Sequence, residues 1–376
     1  MPRAPSIAAT PGRIRELDWL MLAVAGLCCI GLVMAVSVQS LERGSNTLLA
    51  LRAQGSKLVV GIVLFVVCAI APLRAIRRHA LLICLALTGL VWAAALFGPE
   101  RNHAHRWLSI GGISFQPVDF ARVGMIVLTA AWIADAGERI REFGRGLCVV
   151  LAPALVLAAG LFLQPDNGNA LLALAVAGTM AVAAGVRFLW LGLGAAIALP
   201  AALLIVGRHG YALERVQRWL SEDPPYQVAQ GLIALQSGGL TGAGIGHGWR
   251  KMGFVPEPHN DFVFAILGEE LGFAGCVTVL AAFTLIGVVC HRLARRLDDP
   301  FHRWIVFGCG FAVCAQAVIN MLVTTGLAPA KGIDLPFVSA GGTNLVTSLG
   351  VVGLIGNAAR SDLASKRFVT KHQGGI

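Results

Sequence analysis

The stretch FVPEPHNDFVFAILGEELG, residues 254–272, gathers Glu257, His259, Asp261, Glu269 and Glu270 and then runs straight into apolar sequence. A carboxylate at a membrane surface, half desolvated and beside a histidine, is suited to general-base work, because desolvation disfavours its charged form and makes it a better proton acceptor. Asp261 stands where a long polar loop meets an apolar run, so it is equally suited to cap a helix by accepting from a free backbone N–H. Glu269 and Glu270 lie about two turns deeper, ~12–14 Å along a helix axis. An unpaired ionised carboxylate at that depth costs at least ~2.5–3.5 kcal/mol. The two glutamates therefore face the bundle interior, where they pair with a cation, hold helices together or meet a polar ligand.

Four further stretches carry polar chemistry. RWLSIGGISFQPVDFARVGM (106–125) holds Arg106, Asp119 and Arg122. Asp119 and Arg122, three apart, share a helix face, and Pro117 fits a helix start. Arg122 either satisfies itself in that pair or clamps a phosphate with its planar fork. LQPDNGNA (163–170) clusters Gln164, Asp166, Asn167 and Asn169. Its Pro-Asp-Asn-Gly is turn chemistry, and Asp166 is placed to line a polar site. In 226–254, Gln227 and Gln230 with Leu232, Ile233 and Leu235 read as a short interfacial amphipathic helix. Six glycines follow between 238 and 248, without the G-K-[ST] of a Walker A loop. Their N–H groups, with Arg250 and Lys251, either cradle a pyrophosphate or form a flexible re-entrant connection. Finally, GLAPAKGIDLPFVSAGGTNL (326–345) sets Lys331 and Asp334 between Pro329 and Pro336. It opens a last helix at Gly341-Gly342 with Ser339, Thr343 and Asn344 beside it, a fair anion site.

The elements that must position these residues are transmembrane helices. Of 376 residues, 56% are hydrophobic and 13% charged, and mean hydropathy is +0.74. A soluble domain carries about a quarter charged residues. The net charge of +10 does not indicate nucleic acid, because the basic residues sit in short loops between apolar runs. The nine cysteines fall mostly inside apolar segments with no C-x-x-C, so neither a disulfide framework nor a metal site is expected from them.

Apolar runs of spanning length predict ten helices: 19–38, 57–73, 79–97, 117–134, 147–163, 169–186, 188–207, 262–290, 303–325 and 341–359. The first is too long for a signal-peptide core and many more follow, so it reads as a transmembrane helix. An even count puts both termini on one side. With the N-terminus cytoplasmic, the inside loops hold 18 of the 30 Lys and Arg. The chain thus reads as a single all-α polytopic domain with cytoplasmic tails at 1–18 and 360–376. The extracytoplasmic loops 98–116, 208–260 and 326–340 are the long ones, and long loops in a compact protein are usually functional.

These motifs resemble those of the SEDS family (shape, elongation, division and sporulation proteins). VPEPHNDFVFAILGEELG is similar to its P-E-A-H-T-D-F…E-E-L-G. RWLSIGGISFQPVDFAR is similar to R-W-[LI]…Q-P-S-E-F-A-K, and LQPDNGNALL to Q-P-D-[FL]-G-T-A. YQVAQGLIALQSGGLTGAGIG resembles Y-Q…S-L-I-A-I-G-S-G-G…G-x-G-x-G, and GLAPAKGIDLPFVSAGG resembles G-L-L-P-T-K-G-[LI]-x-L-P-[FL]-[IV]-S-Y-G-G. The K-G-x-x-L-P form and the basic stretch before Pro256-Glu257 lean towards the division-type, FtsW-like branch.

The resemblance implies a peptidoglycan glycosyltransferase of the inner membrane that polymerises lipid II outside it. It implies a class B penicillin-binding transpeptidase as partner, among other divisome or elongasome proteins. Asp261 matches the family's critical aspartate and would be the catalytic base. His259, Glu257, Asp166, Arg106, Arg122 and Lys331 would bind substrate, with a divalent cation (Mg or Mn) or the basic residues stabilising the leaving pyrophosphate. Asp119, Gln164, Glu269 and Glu270 would be structural. The chain departs from the pattern at Asn260, Pro258, Arg122, Asp119, Asn167, Asn169, Ala340 and Asn344. The rival readings are a lipid II flippase and a non-catalytic scaffold that recruits a transpeptidase.

Overall fold

The computed structural model of the chain describes residues 11–42, 47–100, 104–190, 192–194, 196, 219 and 225–373. In order these form α1 (Pro11–Glu42), α2 (Thr47–Ile70), α3 (Leu73–Arg78), α4 (Ala80–Phe97), β1 (Leu108–Ile110) and β2 (Ile113–Phe115). Then come α5 (Pro117–Ala136), α6 (Val149–Leu163), α7 (Asn167–Ala184), α8 (Tyr226–Ser237), α9 (Val263–Arg296), α10 (Pro300–Thr324) and α11 (Gly342–Gln373). The chain is an all-α polytopic membrane protein. Among the described residues eight helices, α1, α2, α4–α7, α9 and α10, are long and apolar enough to cross a membrane. In lipid every backbone group must be satisfied within the protein, which an unbroken helix achieves by itself. The expected helix 188–207 and the first part of the loop 208–260 fall largely outside the described residues.

The last expected helix is present as α11. From Asn344 to Ala359 it is buried almost all round, with Asn344, Thr347, Ser348 and Asn357 among its buried side chains, and it packs along α2. Gly353 permits that approach, since a Cβ there would come within 2.3 Å of the Phe65 carbonyl oxygen. Asn357 Nδ2 then donates to the Cys68 and Ala71 carbonyls at 2.8 and 2.7 Å, serving carbonyls at the end of α2. The helices enclose one continuous core running from Leu20 of α1 to Ala359 of α11. The loop 98–116 contains a small exception to the all-helical pattern. It is a hairpin with Leu108 opposite Phe115 and Ile110 opposite Ile113. Gly111 and Gly112 turn it with φ of 59° and 81°, as a two-residue hairpin turn with two positive φ values requires.

The glycine-rich loop after α8 has a definite job. At Gly272 (φ 67°, ψ −167°) α9 breaks, leaving backbone groups unpaired on both sides. Ala243 N and Gly244 N donate to the Glu269 and Glu270 carbonyls at 2.9 and 3.0 Å. Phe273 N and Ala274 N donate to the Gly239 and Leu240 carbonyls at 2.9 and 3.2 Å. The glutamate side chains complete the clamp. Glu269 Oε1 accepts from Trp249 N at 2.8 Å and Arg250 N at 3.2 Å, and Glu270 Oε2 accepts from Gly246 N at 3.1 Å. Lys251 Nζ donates to Glu270 Oε1 at 2.5 Å and to Ser37 Oγ of α1 at 2.6 Å.

Of the two readings of this loop, the pyrophosphate cradle gives way. The N–H groups of Gly246, Trp249 and Arg250 bind the chain's own carboxylates. Lys251 is buried in an ion pair, and Arg250 donates to Gln230 Oε1 at 2.8 Å.

The side chains of Lys251 and Glu270 are 1% and 0% exposed. Removing one partner of such a pair leaves an uncompensated buried charge, at a cost of about 3–5 kcal/mol. Lys251→Met is expected to lower the melting temperature in detergent markedly, and Lys251→Met with Glu270→Leu to recover part of the loss. A thermal melt of Lys251→Met matching wild type would contradict this role for the pair.

Candidate active site

The site is built around the segment 326–341 between α10 and α11, which is neither helix nor strand and yet is mostly buried. Two amides on one face of α10 hold it. Gln316 Nε2 donates to the Asp334 carbonyl at 2.9 Å. Asn320 Nδ2 donates both to the Ile333 carbonyl at 2.7 Å and to the Asp261 carbonyl at 2.9 Å. The turn before α9 is laced to the same segment. Ser339 Oγ donates to the Asn260 carbonyl at 2.7 Å and accepts from Leu335 N at 2.7 Å. Ala340 N donates to the His259 carbonyl at 2.8 Å. From α2, Lys57 Nζ donates to the Ala340 carbonyl at 2.7 Å.

Asp261 is half-buried on this platform. It does not cap α9, whose cap position is Phe262 with no side-chain bond, so the capping reading gives way. Its carboxylate lies against Gly332, where a Cβ would sit 2.8 Å from Oδ2. Beside it Glu257 adopts φ 49°. Glu257 Oε2 accepts from Asn260 Nδ2 at 3.1 Å and lies 3.7 Å from His259 Nε2. The side chain of Lys331 runs over the start of α7, with Cδ 3.2 Å from where a Cβ on Gly168 would be. Asp334 is packed against Gly341. Burial pushes its carboxyl well above the usual carboxylate range; Asp261, Asp119 and Glu257 push the same way and Lys57 opposes them.

Two residues expected to meet substrate are placed otherwise. Arg122 is 6% exposed. Its Nη1 donates to Gln316 Oε1 at 2.5 Å, its Nη2 to Asn169 Oδ1 at 2.6 Å, and Asp119 lies 3.5 Å away. The guanidinium thus ties α5, α7 and α10 together beneath the site, and Gln316, which it holds, donates in turn to the Asp334 carbonyl. Asp166 is also buried. It caps α7, accepting from Asn169 N at 3.4 Å and Asn169 Nδ2 at 2.9 Å. Arg106 lies above it, with Nε 3.9 Å from Asp166 Oδ2 and Nη2 donating to the Pro165 carbonyl at 2.7 Å. Gln164 Nε2 donates to the Val91 carbonyl of α4 at 2.7 Å, and Asn344 Nδ2 lies 3.5 Å from Asp119 Oδ1. Asp261, His259, Glu257, Lys331, Arg106 and Lys57 are partly or fully exposed at this face, whereas the Asp334 carboxyl is buried.

Sequence reasoning missed Gln316, Asn320 and Lys57. The first two carried a signal: with Thr324 they form a polar i, i+4, i+8 stripe in an otherwise apolar helix. Lys57 had none, being one more basic residue at a helix end. Among the described residues no three His, Cys, Asp or Glu side chains converge as ligands for a metal ion. The expected divalent cation thus finds no ready ligand set here, and no chemical step is assigned to one.

The family profile described as "Cell cycle protein" (FTSW_RODA_SPOVE) matches residues 18–363. A Geobacter metallireducens relative is 34% identical over 355 residues, spanning 92% of this chain and 94% of its own. One from Mycobacterium tuberculosis is 34% identical over 365 residues, spanning 93% of this chain and 69% of its own. Both are named "probable peptidoglycan glycosyltransferase FtsW". A chain of a peptidoglycan synthase complex that coordinates polymerization and crosslinking superposes with a TM-score of 0.76 at 25% identity, covering 91% of this chain and 97% of that one. The Thermus thermophilus rod shape determining protein RodA superposes at 0.65 with 24% identity, covering 91% and 96%. This chain belongs to the FtsW/RodA/SpoVE family of cell cycle proteins.

The Asp334 carboxyl fixes a pH dependence. Its folded state holds a proton above the unfolded value of about 3.9, so folding takes up a proton in that window. The stability it contributes is complete below the unfolded value and is lost as pH rises through the raised folded value. Asp334→Asn is expected to flatten this decline in melts taken across that window. Parallel profiles for wild type and variant would rule the effect out.

Proposed function

We propose that the chain is a peptidoglycan glycosyltransferase that polymerises lipid II into glycan strands at the outer face of the bacterial cytoplasmic membrane. The observation that carries this reading is the half-buried Asp261 carboxylate, fixed over the 331–334 segment at one end of a membrane bundle. Lys331 and Arg106 flank that end. The names of the curated relatives support the same activity. The excess of basic residues in the loops on the opposite side supports the orientation.

In this reading Asp261 takes the proton from an acceptor sugar hydroxyl. The freed oxygen attacks the anomeric carbon of the donor, forming the new glycosidic bond as the bond to the pyrophosphate oxygen breaks. Undecaprenyl pyrophosphate leaves, and one in-line displacement inverts the anomeric centre. Lys331 and Arg106 stabilise the charge that develops on the leaving pyrophosphate, the kind of preorganised electrostatic support that usually supplies the largest catalytic term. His259 and Glu257, joined across the turn, orient the acceptor beside Asp261. Arg122 and Asp166 act from below by holding Asp334, α7 and Arg106 in place. A class B penicillin-binding transpeptidase is the natural partner, since new strands must be crosslinked where they emerge. The complex formed by the first structural relative supports that pairing.

The test is lipid II polymerisation by the purified protein with its cognate transpeptidase. Asp261→Asn is expected to slow it by about 10²–10⁴-fold, the usual worth of a general base, with an unchanged melting temperature. Equal polymer from wild type and variant would remove Asp261 from the mechanism. No polymer from wild type with its partner present would favour a flippase or a scaffold.

A further inference from the structure

Asn320 lies on the α10 face beneath the site and is 2% exposed. Its amide nitrogen spends both hydrogens on main-chain carbonyls from segments far apart in sequence: Asp261 at 2.9 Å and Ile333 at 2.7 Å. Its amide oxygen is buried with no hydrogen-bond partner. The orientation of the amide is therefore set by its two donor bonds. Turned over, it would face two carbonyl oxygens with a third. An unsatisfied buried acceptor is unfavourable, and an aliphatic side chain of the same size would avoid that cost.

The two carbonyls belong to the two strips of backbone that meet at the reacting carboxylate. One is that of Asp261 itself. The other immediately follows Gly332, the residue whose missing Cβ makes room for Asp261 Oδ2. Asn320 thus joins the backbone of residue 261 directly to that of residue 333. Ser339 and Ala340 join residues 259 and 260 to the far end of the segment instead. Of these ties, the Asn320 amide is the one that grips the carbonyl of Asp261 itself.

We propose that Asn320 is a positioning residue for glycosyl transfer, setting where the Asp261 carboxylate stands relative to the 331–334 segment. It touches no substrate and acts only through Asp261. The inference rests on the reading of Asp261 as the base. A displacement of about 1 Å in a reacting group is enough to cost about 10²-fold.

The experiment measures lipid II polymerisation and melting temperature for wild type, Asp261→Asn, Asn320→Leu, Asn320→Asp and Gly332→Ala, each with the transpeptidase partner. Asn320→Leu and Asn320→Asp keep nearly the native volume but lose the paired donors. Gly332→Ala is exposed, so it tests displacement of the carboxylate without disturbing the core. All three are expected to lower kcat by about 10–10²-fold with KM within about twofold, since ground-state binding of substrate is untouched. Combining Asn320→Leu with Gly332→Ala is expected to cost less than the sum of the two, because both act on one carboxylate.

Wild-type kcat in the folded Asn320 variants, with Asp261→Asn inactive, overturns the proposal. So does a loss of rate that appears as raised KM or follows the loss of melting temperature, with Gly332→Ala fully active. An inactive wild type instead overturns the reading of the site on which the proposal stands.

Discussion

Irregular backbone can lie within a membrane bundle only if its carbonyls and N–H groups find partners there, and this requirement shapes the end of the molecule that carries Asp261. The segment 326–341 has no helix or sheet to satisfy it. Its carbonyls are met by side chains from α2 and α10, through Lys57, Gln316 and Asn320. Its own N–H and hydroxyl groups meet the turn at 259–260 in return. The Asp261 carboxylate therefore stands on a platform whose shape is set by these hydrogen bonds. A platform held at several points leaves few alternative arrangements, which is the property the proposed role of Asp261 as a base requires.

Several departures from the family pattern become one feature in space. Asp119, Arg122, Asn169 and Asn344 stand where glutamate, lysine, threonine and serine are usual, and in the fold they are mutual neighbours. Asp119 is one methylene shorter than glutamate. Arg122 is larger than lysine and offers a fork of donors, and Asn169 supplies a carbonyl oxygen to one arm of that fork. Asn344 extends an amide towards the retracted acid. Charge is conserved and the hydrogen bonds are redistributed, so the departures read as a coordinated repacking beneath the site. Asp261, Lys331 and Arg106, which keep partial exposure at this end of the bundle, match the pattern unchanged.

Most of the scaffold was legible in the sequence because lipid leaves so little choice. Long apolar runs marked the spans, and Pro117 and the Pro-Asp of 165–166 marked helix starts to within about two residues. Gly111-Gly112 announced a hairpin that the helical reading passed over. The glycines between 238 and 248 were visible, but their partner was not. Nothing in the local pattern says that a loop will bind two glutamates twenty residues downstream. The same limit applies to Arg122, whose fork suited a phosphate, and to Asp166, which was placed to line a polar site. Whether a charge faces a ligand or a neighbouring helix depends on contacts between distant segments, which periodicity does not report. Gln316 and Asn320 were the reverse case, a polar stripe in plain view whose use appears only when the segments it grips are folded against it.

The stretch 254–272 holds carboxylates of opposite kinds because α9 breaks at its end. At Gly272 the helix turns outward and exposes four main-chain groups, and the loop from 239 to 251 folds in to meet them. Once that loop is in place, its spare N–H groups and Lys251 form a positive pocket that only an anion can fill, and Glu269 and Glu270 fill it. The deep acidic pair is thus a consequence of the kink, and its charge is spent entirely inside the protein. Asp261 precedes the helix start and lies against Gly332. Its backbone is gripped through its carbonyl by Asn320, and the missing side chain at Gly332 makes the room that its carboxylate occupies.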